Sequence, residues 1–290
     1  MPFGSGTSLR RTQTFYKKIS VIGRRPLLMP LRLSTYRQTV FASKRVFQFC
    51  SQRETTPFIL FFSAFTLLLS KYSRQKDIII GTPVAGRTQN ETEKLMGLFV
   101  NTVPLRVVLN ETGNVTDLLE QVKRQFLEAI EYSELPFDKI VDAVKAQRNP
   151  NSSPIFQVMF ALQNITKQDE NFSGLVFEPF LTQSPTSKMD LSLTVDQLDD
   201  HFEYVIEYST ELFYEASIRH MGTHFQNLLE TFMEDANPDL SELTMLSEKD
   251  TAFTQRIDLS YTPSRSHFLL EFEKQVHLYG NKTALQCEEN

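Results

Sequence analysis

The 290-residue sequence predicts an α/β fold, a two-layer sandwich of helices on a mixed β-sheet. Three observations predict it. The 12-residue apolar run from Phe58 to Leu69 has the length of a buried core helix and is too short to span a hydrocarbon core. Several stretches alternate apolar and polar residues with the two-residue period of strands. Two longer stretches, around Leu118–Ile130 and Ile218–Phe232, repeat apolar residues at helical spacing.

Taken in order, residues 1–42 read as a basic, disordered leader, because their apolar residues lack sustained period and Arg10-Arg11, Lys17-Lys18 and Arg24-Arg25 punctuate them. An organelle transit peptide has the same Arg-rich, acid-free composition. Ser43 to Tyr72 suits one helix whose second half is buried on all sides. Asp77 to Gly81 is a short central strand on its run of isoleucines, ended by Gly81, Pro83 and Gly86. Val103, Leu105, Val107 and Leu109 alternate in a half-buried strand that stops at Asn110 and Gly113. Thr116 and Asp117 are N-cap candidates for the next helix, and Pro136 suits the first turn of a short helix from Phe137 to about Ala146. Strands are expected over Phe156–Leu162, Met189–Val195 and Phe202–Tyr208, the last two joined by a turn at Leu198-Asp199-Asp200. A long amphipathic helix, about Tyr214 to Met233, ends at Asn237-Pro238-Asp239. The lobe therefore covers residues 43–247, and residues 248–265 are a polar linker. Phe268–Leu278 is a fresh helix, and Thr283–Cys287 begins a strand with no sequence left to pair it.

Composition narrows the function. Residues 1–50 hold ten Lys/Arg and no acid, so the remaining 240 residues carry a net charge of −15. An acidic body is poorly suited to nucleic acid, whose binding is dominated by phosphate neutralisation. Cys50 and Cys287 lie too far apart in sequence to suggest a disulfide framework, which points to a reducing, cytoplasmic setting, with an organelle as the alternative from the leader. Seven Asn-x-Ser/Thr sequons follow from Asn-rich loops, with no secretory signal to expose them. His220 and His224 have the i, i+4 spacing of metal ligands, but the intervening Glu and a third ligand are missing, so no metal site is assigned. No Gly-x-Ser-x-Gly elbow and no Walker-type loop occurs. Nothing composes a self-sufficient active site, and no catalytic residue is assigned.

Three ordered stretches remain. They are Met96-Gly97-Leu98-Phe99-Val100-Asn101-Thr102 with Arg106 following, Glu134-Leu135-Pro136-Phe137-Asp138, and Arg148 through Phe160, within which stand Ser153, Pro154 and Phe156. Gly81-Thr82-Pro83-Val84-Ala85-Gly86-Arg87 and Lys188-Met189-Asp190-Leu191 accompany them. Together they resemble the condensation domains of nonribosomal peptide synthetases over about residues 43–247. The departures are Tyr132 and Ser133, where the family has His and Gln. Residues 266–290 resemble the truncated start of an adenylation domain.

The resemblance implies the carboxy-terminal lobe of a chloramphenicol-acetyltransferase-like pair. In the family, two carrier domains deliver phosphopantetheine thioesters, and the acceptor amine attacks the donor thioester to form an amide. The His-His-x-x-x-Asp-Gly motif that handles the amine proton belongs to the first lobe and does not occur in this sequence. The chain is therefore expected to be inactive alone, with no cofactor of its own and no membrane span. Its expected partners are peptidyl and aminoacyl carrier domains and an amino-terminal lobe. A docking or scaffold lobe paired with a separate partner, and a homo-oligomeric acyltransferase, are the alternatives. Asn101, Arg106 and Asp190 are the candidates for tunnel or positioning roles, Arg106 pairing with Asp190 or another carboxylate. Gly97, Phe99, Val100, Thr102, Pro136, Phe137, Arg148, Ser153, Pro154 and Phe156 are expected to shape backbone or core.

Overall fold

In a computed structural model of the chain, the described residues are 33–86, 91, 95–110, 112–144, 153–164, 189–234, 237–246 and 268–281. Arg148, Lys188, most of the leader, the linker and the Thr283–Cys287 strand lie outside them. Described residues up to 246 belong to one unit, and helix α6 (Phe268–Tyr279) belongs to a second. The elements of the first unit are β1 (Leu33–Ala42), α1 (Ser43–Gln52), α2 (Pro57–Ser73), β2 (Asp77–Val84), β3 (Asn101–Val108), α3 (Val115–Glu131), α4 (Phe137–Ala143), β4 (Val158–Asn164), β5 (Leu191–Gln197), β6 (His201–Ser209) and α5 (Glu215–Phe232).

The six strands form one mixed sheet in the order β1-β6-β5-β4-β2-β3. β4 runs parallel to both of its neighbours, β2 and β5, and every other pairing is antiparallel. Successive side chains on a strand face opposite ways, and the isoleucines of β2 use both faces. Ile78 and Ile80 join the main core with α1, α2, α3 and α5, whereas Ile79 packs into a smaller core with Ile140 and Val141 of α4. This is a sandwich of helices on a mixed sheet, with α4 the one described helix packed on the second face.

Several boundaries move from their expected places. The folded lobe begins by Leu33, not at residue 43, because β1 pairs antiparallel with β6 from Leu33–Ser209 to Ala42–His201. The single helix expected over Ser43–Tyr72 is two helices bent by 92°. Thr56 caps α2 by accepting from the amide of Ile59, and Pro57 supplies a first position that needs no donor. Asn114, not Thr116 or Asp117, is the N-cap of α3. Its side chain accepts from the backbone amide of Asp117 at 3.0 Å, while the Asp117 carboxylate accepts from the backbone amide of Asn114 at 3.1 Å. Pro136 is the N-cap of α4 and so precedes the first turn. β2 runs past Gly81 and Pro83 to Val84, against β3. No single described helix is long and apolar enough to cross a membrane.

Candidate functional site

The motif residues meet where β2, β3 and β4 adjoin α4. Phe156 falls in alternation with Val158 and Phe160, yet it packs into the small core while they pack into the main one. The strand therefore starts two residues after Phe156, whose ring lies over Gly81 so closely that any Cβ there would overlap it. The Phe137 ring packs at a tilt against this ring, with centroids 5.3 Å apart. Half-buried Pro154 precedes the buried Ile155–Phe156 pair, and the Ser153 carbonyl accepts from the Gln157 amide group at 2.8 Å. Three separate sequence motifs thus share one aromatic contact.

Asn101, the first residue of β3, fastens the remaining motif to this core. Its side-chain NH₂ donates to the carbonyls of Ser133 (2.7 Å) and Leu135 (2.8 Å), fixing the turn that leads into Pro136 and Phe137. Both hydrogens are then committed. The group has no donor left to polarise a thioester carbonyl, and only its Oδ1 remains as an acceptor. Thr102 continues β3 opposite Pro83. The segment before it is exposed at Met96, Gly97, Leu98 and Val100, with Phe99 half-buried. Gly86 has φ of +61°, and a Cβ there would overlap the Phe99 carbonyl oxygen, so glycine is required where the two loops touch.

Arg106 is an internal strut with a partner other than Asp190. Its Nε and Nη2 each donate to an Asp77 carboxylate oxygen at 2.9 Å. Arg106 stands opposite Ile79 in the β2–β3 register, so Asp77 is its diagonal neighbour on the same face. These bonds raise the guanidinium pKa further. Asp190 cannot take part. The registers Gly81–Met159 and Val158–Leu191 put it on the same row as Arg106 but three strands away, about 14 Å. Its backbone is held by Gln157 and Ser209, and burial pushes its carboxyl pKa up to about 7. Asn101 lies opposite Val84, five residues along β2 from that row, a further ~17 Å. The structure therefore brings Phe137 and Phe156 together, leaves Gly97 and Val100 exposed, and keeps the three positioning candidates apart.

The histidines are placed separately. His224 Nδ1 lies 2.8 Å from the Tyr72 hydroxyl, and His201 sits between Asp200 (2.5 Å) and Glu203 (3.2 Å). Among the described residues no three His, Cys, Asp or Glu side chains form a metal-binding group.

Known proteins are similar to this chain in sequence and in fold. The family model for the condensation domain matches residues 36–254. Tyrocidine synthase 3 of Brevibacillus parabrevis is 34% identical over 249 residues, covering 84% of this chain and 4% of the synthase. Bacitracin synthase 3 of Bacillus licheniformis is 34% identical over 250 residues, covering 85% of this chain and 4% of the synthase. Among solved structures, the X-domain from teicoplanin biosynthesis superposes with a TM-score of 0.67 at 18% identity, over 84% of this chain and 58% of that one. A four-domain nonribosomal peptide synthetase bound to AMP and glycine gives a TM-score of 0.67 at 21% identity, over 84% of this chain and 20% of that one. The fold is that of chloramphenicol-acetyltransferase-like lobes. The chain belongs to the condensation-domain family of nonribosomal peptide synthetases, and it spans a few per cent of the length of these curated relatives.

Proposed function

We propose that this chain is the second lobe of an amide-forming condensation domain and works with a first lobe that supplies the proton-handling histidines. The observation that carries this reading is an apolar rim around Asn101. Met96, Leu98 and Val100 are exposed on the segment entering β3, and Tyr132 and Leu135 are exposed in the turn that Asn101 holds. Five large apolar side chains around one rigid polar contact suit a surface completed by another lobe better than one facing water. The absence of His-His-x-x-x-Asp-Gly from the sequence agrees with it, because in the family that motif of the first lobe handles the amine proton.

In this reading carrier domains present phosphopantetheine thioesters. The acceptor amine attacks the donor carbonyl, the amide bond forms as the C–S bond breaks, and the amine proton leaves through the first lobe. Asn101 Oδ1 accepts a hydrogen bond from an amide N–H of a pantetheine arm, while its NH₂ keeps the turn in place. No cofactor is resident in the lobe itself.

The test is product formation from two loaded carrier domains, followed by mass spectrometry. The chain alone is expected to yield no dipeptidyl thioester above background. Adding a separately produced first lobe bearing the histidine motif is expected to yield it. Product from the chain alone would overturn the reading, whereas a stable complex without product would establish the docking role instead.

A further inference from the structure

The bend between α1 and α2 and the first turns of α3 border a pocket of about 290 Å³, lined by Arg53, Glu54, Thr55, Thr116, Glu120 and Lys123. Thr116, Glu120 and Lys123 share one side of α3, at the spacing of a helix face. Glu54, in the left-handed region with φ of 47°, carries the chain past that side. α3 packs into the main core through Leu118, Leu119 and Val122, whereas Phe137 and Phe156 pack on the other face of the sheet. The pocket is therefore separate from the motif junction.

Two cations and two carboxylates border it, a balance of zero. Both cations are held by neutral oxygens. Arg53 Nη1 donates to Thr116 Oγ1 at 2.8 Å, and Lys123 Nζ donates to the backbone carbonyl of Glu54 at 2.7 Å. Among the described residues no ion pair joins either cation to the Glu54 or Glu120 carboxylate. Water solvates the exposed charges of a helix face, so Glu120 and Lys123 alone would indicate nothing. Half-buried Arg53 is different, because its guanidinium is fixed in advance. It lies 5.9 Å from the ring centroid of buried Phe49, and the Thr116 hydroxyl that accepts from it donates onward to Asn237 Oδ1 at 2.9 Å. A stacked and hydrogen-bonded guanidinium loses little freedom on binding, and its Nε and Nη2 edge is left for a carboxylate. Beside it the Thr55 hydroxyl is shut off from water and has no hydrogen-bond partner, an unmet polar group in the pocket wall.

We infer that this pocket binds a small amino acid zwitterion, its carboxylate on Arg53 and its ammonium on Glu120 and Glu54. A simple anion would meet two carboxylates, and a simple cation would meet a guanidinium and an ammonium. A molecule carrying one charge of each sign matches a wall that carries both, unpaired with each other. The planar fork of Arg53 suits a carboxylate in two-point contact. The volume lies at the lower limit of small-molecule sites, so the ligand has few heavy atoms.

The experiment titrates the full chain by calorimetry with L-alanine and with γ-aminobutyrate, which differ in the spacing of their charges. Acetate and methylammonium chloride, each carrying one half of the ligand, are the controls at equal ionic strength. Saturable heat is expected from an amino acid and from neither control. E120Q, altered at an exposed and unpaired side chain, is expected to melt as the parent does and to bind about fivefold or more weakly. R53K keeps the charge but not the fork, and is expected to lose saturation. Tighter binding of L-alanine than of γ-aminobutyrate would identify an α-amino acid, and the reverse order an ω-amino acid. Absence of saturable heat with both amino acids, equal heat with acetate, or undiminished binding by E120Q would overturn the inference.

Discussion

Replacing Asn101 with Ala removes both hydrogen bonds that hold the Ser133–Leu135 turn. Each such bond contributes about 1 kcal/mol net, and the Ser133 carbonyl belongs to a residue only 4% exposed, so its lost partner is not fully replaced by water. The expected cost is about 2–3 kcal/mol, or a fall in Tm of about 4–10 °C for a folded unit of this size. Urea unfolding followed by far-UV circular dichroism is the assay, with an unchanged m-value showing that the loss lies in the native state. Asn101→Asp should be worse than Ala, because a carboxylate donates nothing and faces two carbonyl oxygens. The reasoning fails if Asn101→Ala stays within about 0.5 kcal/mol of the parent, or if Asn101→Asp is as stable as the parent.

The shared aromatic contact makes Gly81→Val costly, by about 1–3 kcal/mol, and Phe156→Leu in the same chain should recover part of that loss in thermal melts. Asp77→Asn breaks a two-point ion pair and should cost about 1–3 kcal/mol in urea unfolding, and Arg106→Lys should not preserve the fork geometry. Thr82 is 1% exposed and its hydroxyl has no partner among the described residues, so Thr82→Val should raise stability by about 1 kcal/mol. Asp190 has a folded pKa raised from 3.8 to about 7, so its proton is held more tightly in the native state. The resulting stabilisation is fully present below the unfolded pKa and is lost as pH rises through about 7. Asp190→Asn should therefore flatten that part of the pH–stability curve and melt above the parent at pH 8. A parallel pair of curves would count against this assignment.

The strands of the lobe were legible because alternation survives from sequence to structure: Phe202, Tyr204, Ile206 and Tyr208 are all buried on β6. β1 was not. Leu33–Ala42 carries the composition of the basic leader, and what makes it a strand is a partner some 166 residues away. The break between α1 and α2 was written in the polar run Ser51-Gln52-Arg53-Glu54-Thr55-Thr56 and in Pro57, which precede the apolar run from Phe58. Within the site, the motif order predicted the family, and Phe137 and Phe156, two of the residues expected to shape the core, are in ring contact, with Phe156 lying against Gly81. The partner of Arg106 did not, since choosing Asp77 over Asp190 requires strand order and register, which no short motif encodes.

The pairing of β1 with β6 joins the first described strand to the last one of the sheet. During synthesis the early strand emerges long before its complement, so closure of that edge is a late, long-range event that local helix formation cannot hasten. Until then β6 and β1 each present unsatisfied backbone groups to any neighbouring chain. Deleting residues 33–42 should accordingly leave the helical core formed but the sheet margin adhesive, so that a shortened chain assembles into intermolecular β-structure rather than simply unfolding.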